Sequence, residues 1–346
     1  MSDPSKDAVW HDTLAPYAQP RLGRSVIEVA TSVVPYLALS VLIYATLGVS
    51  ILLTLALAIP TAGFLVRTFI VFHDCGHGSM LPSKRANAYL GAFTGLLVLA
   101  PFTRWRHDHA VHHATSGDLE RRGVGDVPTL TVAEYRARSQ RGRLAYRIFR
   151  NPLVMFGVGP VFAMIIGPRL VAKGARPRMR NSVLATDAAL AAIVAALCVL
   201  IGWQQFLLVW APSAMLAGSV GIWLFYVQHQ FEDAYWQNAD DWTYAEAGLR
   251  GSSYLRLPKV LQFFTGNIGL HHVHHLNARI PNYNLQAAHD ANPIFQSVPT
   301  LSLWDGLRAV RLKLWDEGSG KMVTFAQARA AAPASPLLEH QPVVVE

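Results

Sequence analysis

The segment Trp105–Thr115 reads WRHDHAVHHAT and contains four histidines, His107, His109, His112 and His113. On a helix, His109 and His113 are four residues apart and project from the same face. Imidazole is the commonest side-chain metal ligand near neutral pH. The segment therefore predicts a helix that presents histidines to a metal ion.

Two further histidine runs lie elsewhere in the chain, HDCGH at residues 73–77 and HHVHH at residues 271–275. The three runs hold ten of the 14 histidines. His73 and His77 again have the helical i, i+4 spacing. Histidine pairs from separate segments that converge indicate a metal centre, so we expect the fold to bring the three runs together.

Four histidines lie outside these runs. His229 directly follows an apolar stretch, and the residues alone leave open whether it binds metal. We expect the other three, which have no histidine near them in sequence, at the protein surface: His11, His289 and His340.

The composition is that of a membrane protein. Hydrophobic residues make up 52% of the chain and charged residues only 15%, which is too apolar for an ordinary soluble domain. The net charge of +8 fits basic cytoplasmic loops and does not indicate nucleic-acid binding. The two cysteines, Cys75 and Cys198, form no metal-binding motif. The first 25 residues lack the apolar core of a secretory signal.

Four apolar runs are long enough to cross a hydrocarbon core of about 30 Å, and we place them at residues 25–48, 51–72, 183–201 and 205–227. The connections at Gly48 and at residues 202–204 contain no Lys or Arg, whereas residues 115–150 are rich in arginine. The positive-inside rule puts that arginine-rich block in the cytoplasm. All three histidine runs, and both termini, then lie on the cytoplasmic side.

A shorter apolar run at 88–102 is expected to be re-entrant or to lie along the interface, and another at 152–168 to lie along the cytoplasmic interface. The predicted fold is an all-α membrane protein with four transmembrane helices and a cytoplasmic helical cap that holds a dimetal site. Residues 1–24 are assigned to a polar cytoplasmic tail, residues 25–310 to the integral membrane domain and residues 311–346 to a C-terminal tail.

The ligand set indicates the kind of metal. Eight or nine imidazoles exceed the four ligands of a structural zinc site, so we expect two metal ions. The lack of thiolates disfavours an iron–sulfur cluster. Nitrogen-rich sites with open positions suit iron that activates dioxygen. At a membrane surface, such a site predicts oxidation of an unactivated C–H bond in a long apolar substrate.

The runs HDCGH, HAVHH and HHVHH, in this order among these spans, resemble the three histidine boxes of the membrane fatty acid desaturase family. The resemblance extends from about residue 25 to residue 310. It includes SGDLE at 116–120, QH at 228–229 and HHLNARIPNY at 274–283. It implies nine iron ligands: His73, His77, His109, His112, His113, His229, His271, His274 and His275.

Other polar residues in the boxes fall outside this ligand pattern. We expect His107 and His272 to have structural roles or to lie directly behind the ligands, although HHVHH can be registered in two ways. Four acidic residues either orient ligand imidazoles through the second ring nitrogen or are solvated: Asp74, Asp108, Asp118 and Glu120.

The form of the boxes narrows the resemblance further. The HxxxH spacing of the first box, a third box that begins with His and the lack of a visible fused cytochrome domain resemble acyl-lipid, methyl-end desaturases. The resemblance implies a Δ12-like insertion of a cis double bond into an acyl lipid or acyl thioester. It also implies two Fe²⁺ ions, O₂ as co-substrate and electrons from a ferredoxin or b-type cytochrome. Basic cytoplasmic loops suit an acidic donor.

Several other functions are compatible with parts of this pattern. An acyl-chain hydroxylase or a carotenoid oxygenase would use the same diiron scaffold. A haem-binding membrane cytochrome needs paired histidines within adjacent spans, whereas these lie at or beyond the span ends. A histidine-rich metal transporter would place its ligands near the middle of the bilayer. Desaturation is the function that we expect.

Overall fold

The structure, a computed structural model, describes Trp10, residues 12–171 and residues 173–330, so that His11 and His340 lie outside the described residues. The described helices are α1 Leu22–Thr46, α2 Ile51–His77, α3 Lys84–Leu97, α4 Phe102–Thr115, α5 Val132–Ala137, α6 Gln140–Phe149, α7 Pro177–Ile201, α8 Trp203–His229, α9 Tyr244–Arg250, α10 Lys259–Phe264, α11 His271–Leu276, α12 Leu285–Ala291, α13 Leu303–Ala309 and α14 Phe325–Ala330. The strands are β1 Leu130–Thr131, β2 Tyr254–Arg256, β3 Thr300–Ser302, β4 Leu314–Asp316 and β5 Lys321–Val323.

Among the described residues, four helices are long and apolar enough to cross a membrane: α1, α2, α7 and α8. They correspond to the four apolar runs predicted from the sequence. Both α2 and α8 continue beyond the apolar stretch. Their last turns therefore carry His73, His77 and His229 at one end of the helical bundle.

The outer surfaces of these helices are apolar. On α7, for example, Val199 is 86% exposed, and a continuous apolar surface of this kind is unfavourable in water but matches lipid. The α1–α2 and α7–α8 connections line one shallow cleft, formed by Leu47, Gly48 and residues 203–205, 207 and 208. Both helical hairpins therefore point the same way, with the histidines at the opposite end.

The two shorter apolar runs do not form straight spanning helices. The chain bends by 100° between α3 and α4, a geometry that fits a broken span as well as the re-entrant segment predicted at residues 88–102. At this bend Gly91 packs against the Phe102 ring so closely that a Cβ atom would lie 2.1 Å from it. The run at 152–168 forms two π-helical segments, Leu153–Val158 and Val161–Ile166.

The remaining elements form a cap over the histidine end of the bundle. Strands β1, β4 and β5 make a three-stranded sheet, in which β1 and β4 are parallel, and β2 pairs with β3 in parallel. Residues 311–330, assigned above to a C-terminal tail, supply β4, β5 and α14, and Leu314 and Met322 are buried. This described part of the segment is an integral part of the cap. Leu14, assigned to the N-terminal tail, is likewise buried against the cap.

Candidate metal centre

The structure brings together all nine histidines predicted as ligands, in two groups. Within each group the ring nitrogens that could bind a metal lie within 4.8 Å of one another. The five-histidine group consists of His73, His77, His109, His113 and His274. The four-histidine group consists of His112, His229, His271 and His275.

Helix geometry explains this division. Residues four apart share a helix face, whereas adjacent residues point about 100° apart. On α4, His109 and His113 therefore reach the five-histidine group, while His112 turns to the other group. On α11, likewise, His271 and His275 serve one group and His274 the other. These two helices lie between the two sites and contribute to both.

The ring nitrogens of each group point at one another. In the five-histidine group, Nε2 of His113 lies 3.2 Å from Nε2 of His109 and 3.0 Å from Nε2 of His274. In the four-histidine group, Nε2 of His271 lies 3.0 Å from Nε2 of His229 and 3.1 Å from Nε2 of His275. A neutral imidazole has only one N–H. Such crowding leaves buried lone pairs without enough hydrogens to satisfy them.

Two further nitrogens show the same need for a cation. Nε2 of His77 and Nε2 of His112 are buried and have no hydrogen-bond partner among the described residues. Burying an unpaired polar atom costs roughly 1–3 kcal/mol, and a metal ion at the centre of each group would satisfy these lone pairs. The all-imidazole donor set therefore fits two metal ions of borderline softness, such as iron.

The second ring nitrogen of three ligands is held by an oxygen. Nδ1 of His73 lies 3.0 Å from Asp74, Nδ1 of His112 lies 2.5 Å from Asp126, and Nδ1 of His229 lies 3.1 Å from the Gly251 carbonyl. Because these oxygens accept a hydrogen bond, they place the ring hydrogen on Nδ1. Nε2 is then free to bind metal.

Asp126 was not among the acidic residues predicted to orient ligands. It lies 14 residues after His112 in a glycine-containing loop, and its only signal in the sequence is an acidic side chain shortly after the second box. Of the four acids considered, Asp74 is buried and lies beside His73. Asp118 is buried but instead accepts hydrogen bonds from the backbone N–H groups of Glu120 and Arg121.

The protonation state of the imidazoles suits metal binding. Burial, reinforced by the neighbouring imidazoles, holds the pKa of five histidines outside the long apolar helices well below its ordinary value of 6.5: His109, His113, His271, His274 and His275. These rings are neutral at physiological pH. No proton has to be displaced before they bind a cation.

His107 was predicted to have a structural role or to lie directly behind the ligands, and Asp108 to orient a ligand imidazole or to be solvated. Both lie on the outer face of α4. The side chain of His107 is 47% exposed, and its Nδ1 lies 3.3 Å from Asp108. Asp108 also forms an ion pair with Arg104 at 3.5 Å. Among the described residues, neither side chain forms a hydrogen bond to any of the nine imidazoles, so the structure does not support a position directly behind a ligand for either of them.

His272 is buried but faces away from both groups. Its Nε2 lies 3.0 Å from Nδ1 of His289. The prediction that His289 is a surface residue is wrong, because it is only 5% exposed and packs against Tyr254 and Phe295. Of the first two histidines of HHVHH, His271 therefore belongs to the four-histidine group and His272 does not.

Comparisons with known proteins agree with this geometry. The family model described as fatty acid desaturase matches residues 48–298. A fatty acid desaturase of Bacillus subtilis is 47% identical over 312 residues, which cover 90% of this chain and 89% of that protein. The sn-1 oleoyl-lipid 12-desaturase of Synechocystis is 29% identical over 244 residues, 66% of this chain and 65% of that protein.

A second Synechocystis protein, the sn-1 acyl-lipid omega-3 desaturase (ferredoxin), is 30% identical over 234 residues, or 64% of this chain and 62% of that protein. The family match covers well over half of the chain and contains all three histidine boxes. With nine converging imidazoles above four long apolar helices, the chain belongs to the fatty acid desaturase family and is an oxidoreductase that desaturates fatty acyl chains.

Proposed function

We propose that this protein inserts a cis double bond into an acyl chain that is already esterified in a membrane lipid. The observation that carries the proposal is the convergence of nine imidazoles, seven of them buried, in two groups at one end of four apolar helices. A substrate dissolved in the bilayer reaches such a site without leaving lipid. Two of the relatives above carry acyl-lipid or oleoyl-lipid in their names.

The nine histidines would hold two Fe²⁺ ions, with five ligands at one site and four at the other. Iron, when bound, would supply the O₂ chemistry that removes hydrogen from an unactivated C–H bond. The side chains of this protein orient the ligands and exclude water. Trp105 stacks on His109 with ring centroids 4.4 Å apart, and the Phe225 ring lies 5.0 Å from that of His112.

We propose that the protein crosses the membrane four times with the histidines on the cytoplasmic side. The arginine-rich stretches 121–150 and 169–180 are attached to the ends of the bundle that carry the histidines. The connections at the other end contain no Lys or Arg. This asymmetry is what the positive-inside rule requires.

Electrons would come from a ferredoxin or a b-type cytochrome. The name of one Synechocystis relative includes ferredoxin. The basic cytoplasmic surface of this chain would attract an acidic electron donor and speed its association, more strongly at low ionic strength.

The test is expression in a bacterial host of defined fatty acid composition, followed by mass spectrometric location of new double bonds. Fatty acid synthesis is blocked after the lipids have been labelled, so that only chains already esterified can react. Labelled lipids that lose two hydrogens support acyl-lipid desaturation. Desaturation only while synthesis continues indicates a thioester substrate, and the gain of an oxygen atom indicates a hydroxylase. His271→Ala serves as the inactive control.

A further inference from the structure

Arg150 is a fully buried cation at the junction of the cap and the helical bundle. It follows the last residue of α6, and its exposed fraction is 0%. No carboxylate lies among its hydrogen-bond partners in the described residues; all of its partners are neutral oxygens. Placing an uncompensated charge in a protein interior is costly. A guanidinium is retained here, we infer, because its N–H groups donate hydrogen bonds in several directions at once.

The two ends of the guanidinium hold two different segments. Nη1 donates to the carbonyl of Pro128 at 2.8 Å and to Oγ1 of Thr129 at 3.4 Å. Nη2 donates to Oε1 of Gln230 at 2.9 Å and to the hydroxyl of Tyr226 at 3.0 Å. Thr129 also donates to Gln230 at 3.2 Å and closes the link between the two segments.

Each of these segments controls a ligand of the four-histidine group. The loop that ends in Pro128 and Thr129 carries Asp126, whose carboxylate holds Nδ1 of His112. Gln230 directly follows His229, the last residue of α8. Arg150 thus connects the supports of two ligands that belong to the same group.

The five-histidine group is anchored differently. His73 is oriented by Asp74, which also accepts hydrogen bonds from the backbone N–H and the side-chain amide of Asn282. None of the hydrogen bonds that Arg150 makes reaches this network. The two groups therefore have separate supports.

We propose that Arg150 is a positioning residue for the four-histidine group alone, and that it holds the loop with Asp126 against the end of α8 so that His112 and His229 face the same metal ion. The inference rests on the proposed dimetal site. A lysine cannot replace the arginine, because a single ammonium nitrogen cannot reach Pro128 and Gln230 in their two directions.

The experiment compares Arg150→Gln and Arg150→Lys with the wild-type enzyme in iron content per folded chain, in the rate at which a chelator removes iron, and in the Mössbauer spectrum. We expect wild type to hold two irons. In both variants we expect one iron to be retained at the wild-type rate and the other to be lost roughly tenfold faster or more. Arg147→Gln is the matched control, because Arg147 lies in the last turn of α6, three residues before Arg150, and binds Tyr135 instead. This control should keep two irons.

The outcomes separate the inference from the proposed function. Wild type that binds fewer than two irons would contradict the proposed dimetal site. Variants that hold both irons as wild type does would contradict the role of Arg150 alone. Loss of both irons in proportion to a lowered unfolding temperature of the metal-free protein would show that Arg150 stabilises the fold and does not position one group of ligands. If neither Arg150 variant folds, Thr129→Val keeps Arg150 but removes the hydroxyl that bonds to Arg150, Gln230 and the carbonyl of Val127. Unchanged release of both irons would then overturn the inference.

Discussion

The carboxylate of Asp126 lies 2.5 Å from Nδ1 of His112, although His112 lies on α4 and Asp126 in a loop 14 residues further along the chain. This contact places the ring hydrogen on Nδ1 and leaves Nε2 as the only lone pair available to a metal. Asp126 should therefore matter for metal affinity although it does not itself bind metal.

We predict that Asp126→Asn lowers the affinity of the four-histidine group for iron by roughly 10–100-fold. The amide keeps the size of the carboxylate but removes its charge. Iron content after dialysis against a graded series of chelator concentrations measures the effect. Asp108→Asn is the control, because Asp108 lies on α4 beside the histidines but pairs with Arg104 and His107. Equal losses in the two variants would contradict the role given to Asp126.

Asp74 allows a similar prediction for the five-histidine group. Its carboxylate accepts hydrogen bonds from His73 and from two N–H groups of Asn282. Asp74→Asn replaces one acceptor oxygen by a donor, which would face an N–H group. We expect weaker iron binding at this group and a cost in stability of about 1–3 kcal/mol. Iron release and thermal unfolding of the metal-free protein test both effects, and a variant unchanged in both would contradict the prediction.

The spacing of the histidines made most of the metal centre predictable. His73 and His77, like His109 and His113, are four residues apart, and helix geometry fixes their common direction without knowledge of the fold. The four long apolar helices were equally predictable, because an apolar run of about 20 residues is most often a membrane-spanning helix. Both predictions depend on local pattern.

The residues that hold the histidines in place come from segments that are distant in sequence. Their contacts depend on tertiary packing, which a local sequence pattern does not predict. Asp126 reaches His112 because a loop folds back over α4, and His272 meets His289 because α11 packs on α12. Arg150 likewise donates to the carbonyl of Leu312, in a segment that the sequence analysis assigned to a tail. Nothing in the immediate sequence of these residues indicates their partners.

The pairing of His272 with His289 makes the register of the third box testable. We predict that His271→Ala removes iron and activity, because His271 contacts His229 and His275 in the four-histidine group. His272→Gln should keep both irons, since glutamine can still bond to His289. Iron content per chain measures both variants. If His272→Gln lost iron while His271→Ala retained it, His272 and not His271 would be the ligand, which would contradict the prediction.

Lys313 provides a prediction about pH. Its amino group lies 5.6 Å from the centre of the Tyr226 ring and has no hydrogen-bond partner among the described residues. Burial, with a smaller contribution from the charge of Arg150, lowers the pKa of Lys313 from 10.5 to about 7. Between these values the unfolded chain binds a proton that the folded chain does not.

The contribution of Lys313 to the free energy of unfolding therefore rises as the pH increases from about 7 to 10.5. Below this window the folded protein carries a buried ammonium, and Lys313→Met should be more stable than wild type by on the order of 2 kcal/mol. The advantage should shrink through the window and vanish at its upper end. Thermal unfolding of the two metal-free proteins in detergent, compared at each pH, measures the difference in their free energies of unfolding. The effects of the other titrating groups cancel in this difference. A difference between the two proteins that stays constant across this range would show that Lys313 keeps its ordinary pKa in the folded state.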